Sequence, residues 1–99
     1  MIELLLRLLC AGLFILGAAF LVRRRELLAM LIGLELMINA ANLMIVRTAL
    51  ARGDAHGLAA ALIVIAAAAA EAAVGVALIL ALYRDFAEPE AEEIRELQG

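Results

Sequence analysis

Two carboxylic acids lie inside apolar stretches of this 99-residue chain. Glu35 sits near the middle of LLAMLIGLELMINAANLMIV (residues 27–46), and Glu71 repeats the arrangement inside AAAAAEAAVGVALIL. A charged side chain at a bilayer centre costs roughly 2.5–3.5 kcal/mol on insertion scales, so intramembrane acids are rare and tend to mark ion or proton pathways. Desolvation disfavours the charged form of a carboxylic acid, whereas a nearby cation or amide donor favours it. An acid balanced between the two can take up and release a proton, as a relay requires.

At 100° per residue, Arg24, Leu28, Leu31, Glu35, Asn39 and Asn42 fall within about 40° of one line. That line carries the carboxylate, two amides and a guanidinium at one end, so this side is expected to meet protein or water instead of lipid. The same construction around Glu71 gives Ala60, Val64, Ala67, Gly75, Leu78 and Leu82. Small residues one turn above and below Glu71 admit a neighbouring helix. No polar residue shares its face, so its partner must come from elsewhere.

Each of these residues also has a simpler role. A membrane carboxylic acid can be a neutral hydrogen-bond donor that only holds helices together, worth roughly 0.6–2 kcal/mol, and Asn39 and Asn42 can serve the same end. His56 stands alone in a polar segment and reads as solvated. Cys10 is the single cysteine, without a partner for a disulfide or a second ligand for a metal, and reads as a buried thiol.

The elements that must position these groups follow from composition. Hydrophobic residues make up 68% of the chain, against roughly 45–50% in soluble domains. A soluble domain this small buries only about 60% of the surface its unfolded chain exposes, which cannot hide so much apolar area. The fold class is therefore an all-α integral membrane protein with three transmembrane helices, at about 2–22, 27–46 and 58–83, in one domain spanning 1–99. Each run approaches or exceeds the roughly 20 residues that a spanning helix needs. Glu3 and Arg7 can pair at i, i+4 on the first helix, and Gly12 and Gly17 are expected to mark a close backbone approach. The segment RTALARGDAHG (47–57) reads as a polar connection with Gly-Asp turn chemistry, and Pro89 and the acids after it as part of a tail over 84–99.

The cluster Arg23-Arg24-Arg25 follows the first apolar run instead of preceding it, the wrong polarity for a cleaved signal peptide. The first loop and tail carry Arg23, Arg24, Arg25, Arg84 and Arg95, and the opposite side Arg7, Arg47 and Arg52. The excess of basic residues predicts the N-terminus outside (periplasmic) and the first loop and C-terminus in the cytoplasm. Glu35 then lies about 13 Å and Glu71 about 18 Å from the cytoplasmic end, at 1.5 Å per residue. Net charge is −3, and no basic face is interleaved with aromatics, which argues against a nucleic-acid partner.

The stretches VRRRELLAMLIGLELMINAANL and AAAAAEAAVGVALILALYR, with the tail EIRELQG, resemble the K subunit of respiratory complex I, the proton-pumping NADH:quinone oxidoreductase. The resemblance covers nearly the whole chain and is weakest over 47–57. It implies a three-helix subunit of the membrane arm, lying between the quinone-end and antiporter-like subunits in the bacterial cytoplasmic (inner) membrane. It implies no cofactor in this chain, with NADH, flavin, iron–sulfur and quinone sites in partner subunits. By position in the motifs, Glu35 matches the principal membrane acid and Glu71 the second. Arg24 and Arg25 match a basic loop pair that the family associates with activity.

Two other readings stand beside this one. The C subunit of multi-subunit sodium/proton antiporters has a similar three-helix plan, and a purely structural membrane-bundle subunit would need neither acid for transport. A rotor-ring subunit of ATP synthase fits less well, being typically a two-helix hairpin with one essential acid.

Overall fold

The computed structural model describes residues 1–84 and 90–98. It contains four helices among them: α1 (Ile2–Arg23), α2 (Leu27–Arg52), α3 (Ala55–Leu82) and the short α4 (Ala91–Gln98). The first three are long and apolar enough to cross a membrane. They form because Ala and Leu dominate runs without an internal proline, Pro89 being the one proline in the sequence. Pro89 itself lies outside the described residues.

The helices outrun the boundaries expected from hydropathy. α2 continues past Val46 to Arg52, and α3 starts at Ala55, so the polar segment 47–57 is mostly helix. Nothing in RTALAR breaks a helix, and its polar groups only end the apolar run. Gly53 ends α2 with φ 63° and ψ 34°. The Gly53 N–H donates to the Leu50 carbonyl (3.3 Å) and the Asp54 N–H to that of Ala49 (2.9 Å), the two bonds of a Schellman cap. Asp54 then caps α3, its carboxylate accepting from the His56 N–H at 2.9 Å. At its far end α3 stops at Leu82, one residue before the expected Tyr83.

α2 is the central helix, packed against α1 on one side and α3 on the other. α1 and α2 cross at a glycine pair. A Cβ at Gly17 would collide with the Gly33 carbonyl oxygen, and one at Gly33 with that of Gly17. In lipid, helices gain little from apolar contact alone, so close backbone approach at small residues drives their association. Gly12, expected to take part in such an approach, has nothing within 4 Å of its Cβ position. On the other side, Leu31 fills the space a side chain at Gly75 would need, 3.1 Å from its Cβ position.

Polar ties close the ends. Glu3 pairs with Arg47 of α2 and not with Arg7. The i, i+4 geometry permits the Arg7 pairing, but α2's extension brings a guanidinium to the same carboxylate. At the other end, Tyr83 donates its hydroxyl to Glu26 (3.4 Å), and Glu26 forms an isolated antiparallel bridge with Glu90. Glu90, which precedes α4, is thereby joined to the first loop. Large apolar side chains such as Leu4, Leu8, Ile15, Leu62, Ile63 and Leu78 stay exposed on the bundle. Such a surface suits lipid or neighbouring membrane helices and not water.

Candidate functional site

Glu35 projects from α2 into a crevice of about 220 Å³ between α2 and α3. Leu28, Leu31, Ile32 and Leu36 wall it from α2, Ala72 and Val76 from α3. Asn39, one turn on, is the other polar side chain there. The crevice exists because α3 offers alanine at position 72, where a larger side chain would fill it. Glu35 Oε1 is fully buried and has no hydrogen-bond partner among the described residues. Buried polar atoms are almost always paired, and an orphan oxygen marks a place where another donor belongs.

Asn42 lies one turn beyond Asn39 but is committed differently. It is buried to 6% exposure and donates from Nδ2 to the Ala61 carbonyl of α3 at 3.2 Å. Its Oδ1 is buried without a partner among the described residues. The expected line of polar groups thus divides. Glu35 and Asn39 share the crevice, while Asn42 ties α2 to α3.

Arg24 does not belong to that line. α2 begins only at Leu27, and Arg24 is the extended C-cap residue of α1, with its guanidinium 5.6 Å from the Phe20 ring centroid. The three residues between the helices turn it away from the face that an uninterrupted helix would give it. Arg25 is exposed beside it in the same loop.

Glu71 is exposed on α3, in a shallow apolar recess formed by Ala70, Val74, Gly75 and Leu78. It has no hydrogen bond or ion pair among the described residues. The two acids do not touch, yet they are near neighbours in height: Ala72, which follows Glu71, walls the Glu35 crevice. Glu35 therefore opens between two helices and Glu71 onto the flank of one.

The ties Glu3–Arg47 and Tyr83–Glu26 were not legible as pairs. Both join residues more than forty positions apart, beyond the reach of local periodicity. Among the described residues, no group of three or more His, Cys, Asp or Glu is placed to hold a metal ion. Cys10 is buried, and His56 is exposed.

Residues 5–99 match the family described as NADH-ubiquinone/plastoquinone oxidoreductase chain 4L. The chain belongs to this family. Among its chain 4L relatives, NADH-quinone oxidoreductase subunit K of Roseiflexus castenholzii is 44% identical over 92 residues, covering 93% of this chain and 92% of the relative. Subunit K of Myxococcus xanthus is 43% identical over 92% of this chain and 91% of its own. Subunit K 1 of Syntrophobacter fumaroxidans is 47% identical over 90% and 89% respectively. The chain 4L match takes in α2, α3 and both membrane acids.

Proposed function

We propose that this chain is a membrane-arm subunit of a proton-pumping NADH:quinone oxidoreductase, and that Glu35 and Glu71 carry protons through it. The observation that carries the reading is the buried, unpartnered Oε1 of Glu35 in an otherwise apolar crevice, in a chain whose relatives are NADH-quinone oxidoreductase subunits. An acid held only for stability would be satisfied by a hydrogen bond within the bundle. Glu35 instead presents an acceptor to whatever enters the crevice.

In this mechanism each carboxyl takes up one proton from one side and passes one on, so neither changes state over a cycle. Glu35 exchanges with water or a side chain in the crevice, with Asn39 orienting the exchange. Glu71 exchanges with a group on a neighbouring subunit. Asn42 holds α2 and α3 in register, and the exposed Arg24 and Arg25 bias the field at the loop end. The chain itself performs no redox step. NADH, flavin, iron–sulfur and quinone chemistry belongs to partner subunits, with the quinone-end and antiporter-like subunits flanking this one in a bacterial cytoplasmic membrane. The N-terminus lies outside and the C-terminus inside.

The test is NADH-driven proton uptake by membrane vesicles carrying Glu35→Gln, with assembly checked on native gels. Glutamine keeps the shape and loses the titratable proton, so an assembled complex with defective pumping is expected. Normal pumping by that complex would overturn the relay and favour a purely structural role.

A further inference from the structure

Three arginines gather where α1 and α2 meet at the end of the bundle that carries the N-terminus. Arg7, Arg47 and Arg52 line one polar cavity of about 280 Å³ with Glu3 and Thr48. Glu3 pairs with Arg47, whereas Arg7 and Arg52 have no ion pair among the described residues. Asp54 lies across an adjoining groove from Arg52, but its carboxylate accepts from the His56 N–H. Three guanidinium groups facing one carboxylate leave the cavity strongly positive.

The cavity has an apolar continuation. A second groove of about 280 Å³ runs down the α1–α2 seam and shares Arg7 and Met44 with the first. Cys10, Phe14, Ala40 and Ala41 form its walls. Phe14 lies two helical turns beyond Arg7, about 10 Å deeper at 1.5 Å per residue. A basic head site thus opens onto an apolar channel that runs into the depth of the membrane.

We propose that this composite groove binds one anionic phospholipid. The phosphodiester sits among Arg7, Arg47 and Arg52, and an acyl chain lies along Cys10, Phe14 and Ala41. Guanidinium groups bind phosphate oxygens through paired N–H donors. The continuity of the two grooves identifies a lipid as the occupant, since a free anion would leave the apolar part unused. Charge identifies its class, since a zwitterionic lipid would leave the excess guanidinium charge unmatched. The site lies on the α1–α2 side of the bundle, whereas the Glu35 crevice lies between α2 and α3, and it does not depend on the relay.

The experiment uses the assembled complex in phosphatidylcholine vesicles doped with a photoreactive phosphatidylglycerol, or with a photoreactive phosphatidylcholine as control. Crosslinked peptides of this subunit are mapped by mass spectrometry. Phosphatidylglycerol is expected to label residues 7–14 and 40–44, and phosphatidylcholine to label them weakly. Loss of one guanidinium by Arg7→Gln should reduce labelling about fivefold, and Arg7→Gln with Arg52→Gln more than tenfold. Arg7→Lys, which keeps the charge, should retain most of it. Ala41→Phe, which narrows the apolar groove and leaves the arginines, should also reduce labelling, and it supplies a test if the double variant does not assemble. Equal labelling by both lipids, or labelling unchanged in Arg7→Gln and Ala41→Phe, would overturn the proposal. So would a wild-type complex without labelling here, because a neighbouring chain then covers the groove.

Discussion

The side-chain amide of Asn42 on α2 donates to the main-chain carbonyl of Ala61 on α3, 3.2 Å away, in a buried seam. Hydrogen bonds between membrane helices average about 0.6 kcal/mol and reach roughly 2 kcal/mol. Asn42→Leu is therefore expected to lower the thermal midpoint of the assembled complex modestly, corresponding to about 1 kcal/mol. It should leave most pumping in place at ordinary temperature. Heat-inactivation curves of purified wild-type and variant complexes measure this.

The glycine crossing makes a sharper demand. Gly17 and Gly33 each occupy space that a Cβ on the other would invade, so Gly33→Leu must force α1 and α2 apart. Overpacking typically costs about 1–3 kcal/mol and occasionally more, and here the obstruction is backbone. Gly33→Leu is expected to remove the subunit from the assembled complex on native gels. Gly12→Leu, with open space around its Cβ position, should assemble normally.

The short turn between α2 and α3 depends on Gly53, the one residue with positive φ among those described. A left-handed conformation costs an ordinary L-residue roughly 1–2 kcal/mol. Gly53→Val is expected to destabilise the helical hairpin by about that amount, because a β-branched residue fits the left-handed region worst. Gly53→Asn should cost less, since asparagine visits this conformation more readily. Protease sensitivity at residues 52–55 in oriented vesicles reports the difference.

The two acids are expected to respond unequally. Positioned proton-transfer groups contribute roughly 10²–10⁴-fold to the steps they serve. Even partial bypass of Glu35 should leave Glu35→Gln about tenfold or more impaired in NADH-driven pumping. Glu71 stands on an exposed flank, where water or a partner's side chain can take over part of the transfer. Glu71→Gln should thus lose less. Initial rates of vesicle acidification for both variants, normalised to assembled complex, give the ranking, and equal losses would refute it.

How much of this is legible in the sequence differs from residue to residue. Hydropathy located all three long helices but ended α2 at Val46, because apolarity reports the extent of hydrocarbon and not of the helix. The Gly-Asp pair, which begins seven residues further on, is the stop signal that α2 obeys. Glu35 and Asn39 were correctly set on one face. Arg24 falls on that face only if α2's periodicity is extended through residues 24–26, where the helix is broken. Glu71's lack of a polar neighbour on its own face is readable from the Ala- and Gly-rich spacing, and the structure gives it no hydrogen bond or ion pair among the described residues.

By itself, the sequence determined three helices long and apolar enough to cross a membrane and the positions of two carboxylic acids along them, because a bilayer sorts residues along a single axis by polarity. Lateral arrangement was decided only in the tertiary structure. These helices are apolar on nearly every side, and lipid competes with protein for every apolar face. Periodicity therefore could not say which surface meets which. Close contact at Gly17 and Gly33, the Asn42–Ala61 hydrogen bond and the fit of Leu31 against Gly75 set that choice. They place Glu35 between two helices and leave Glu71 facing outward.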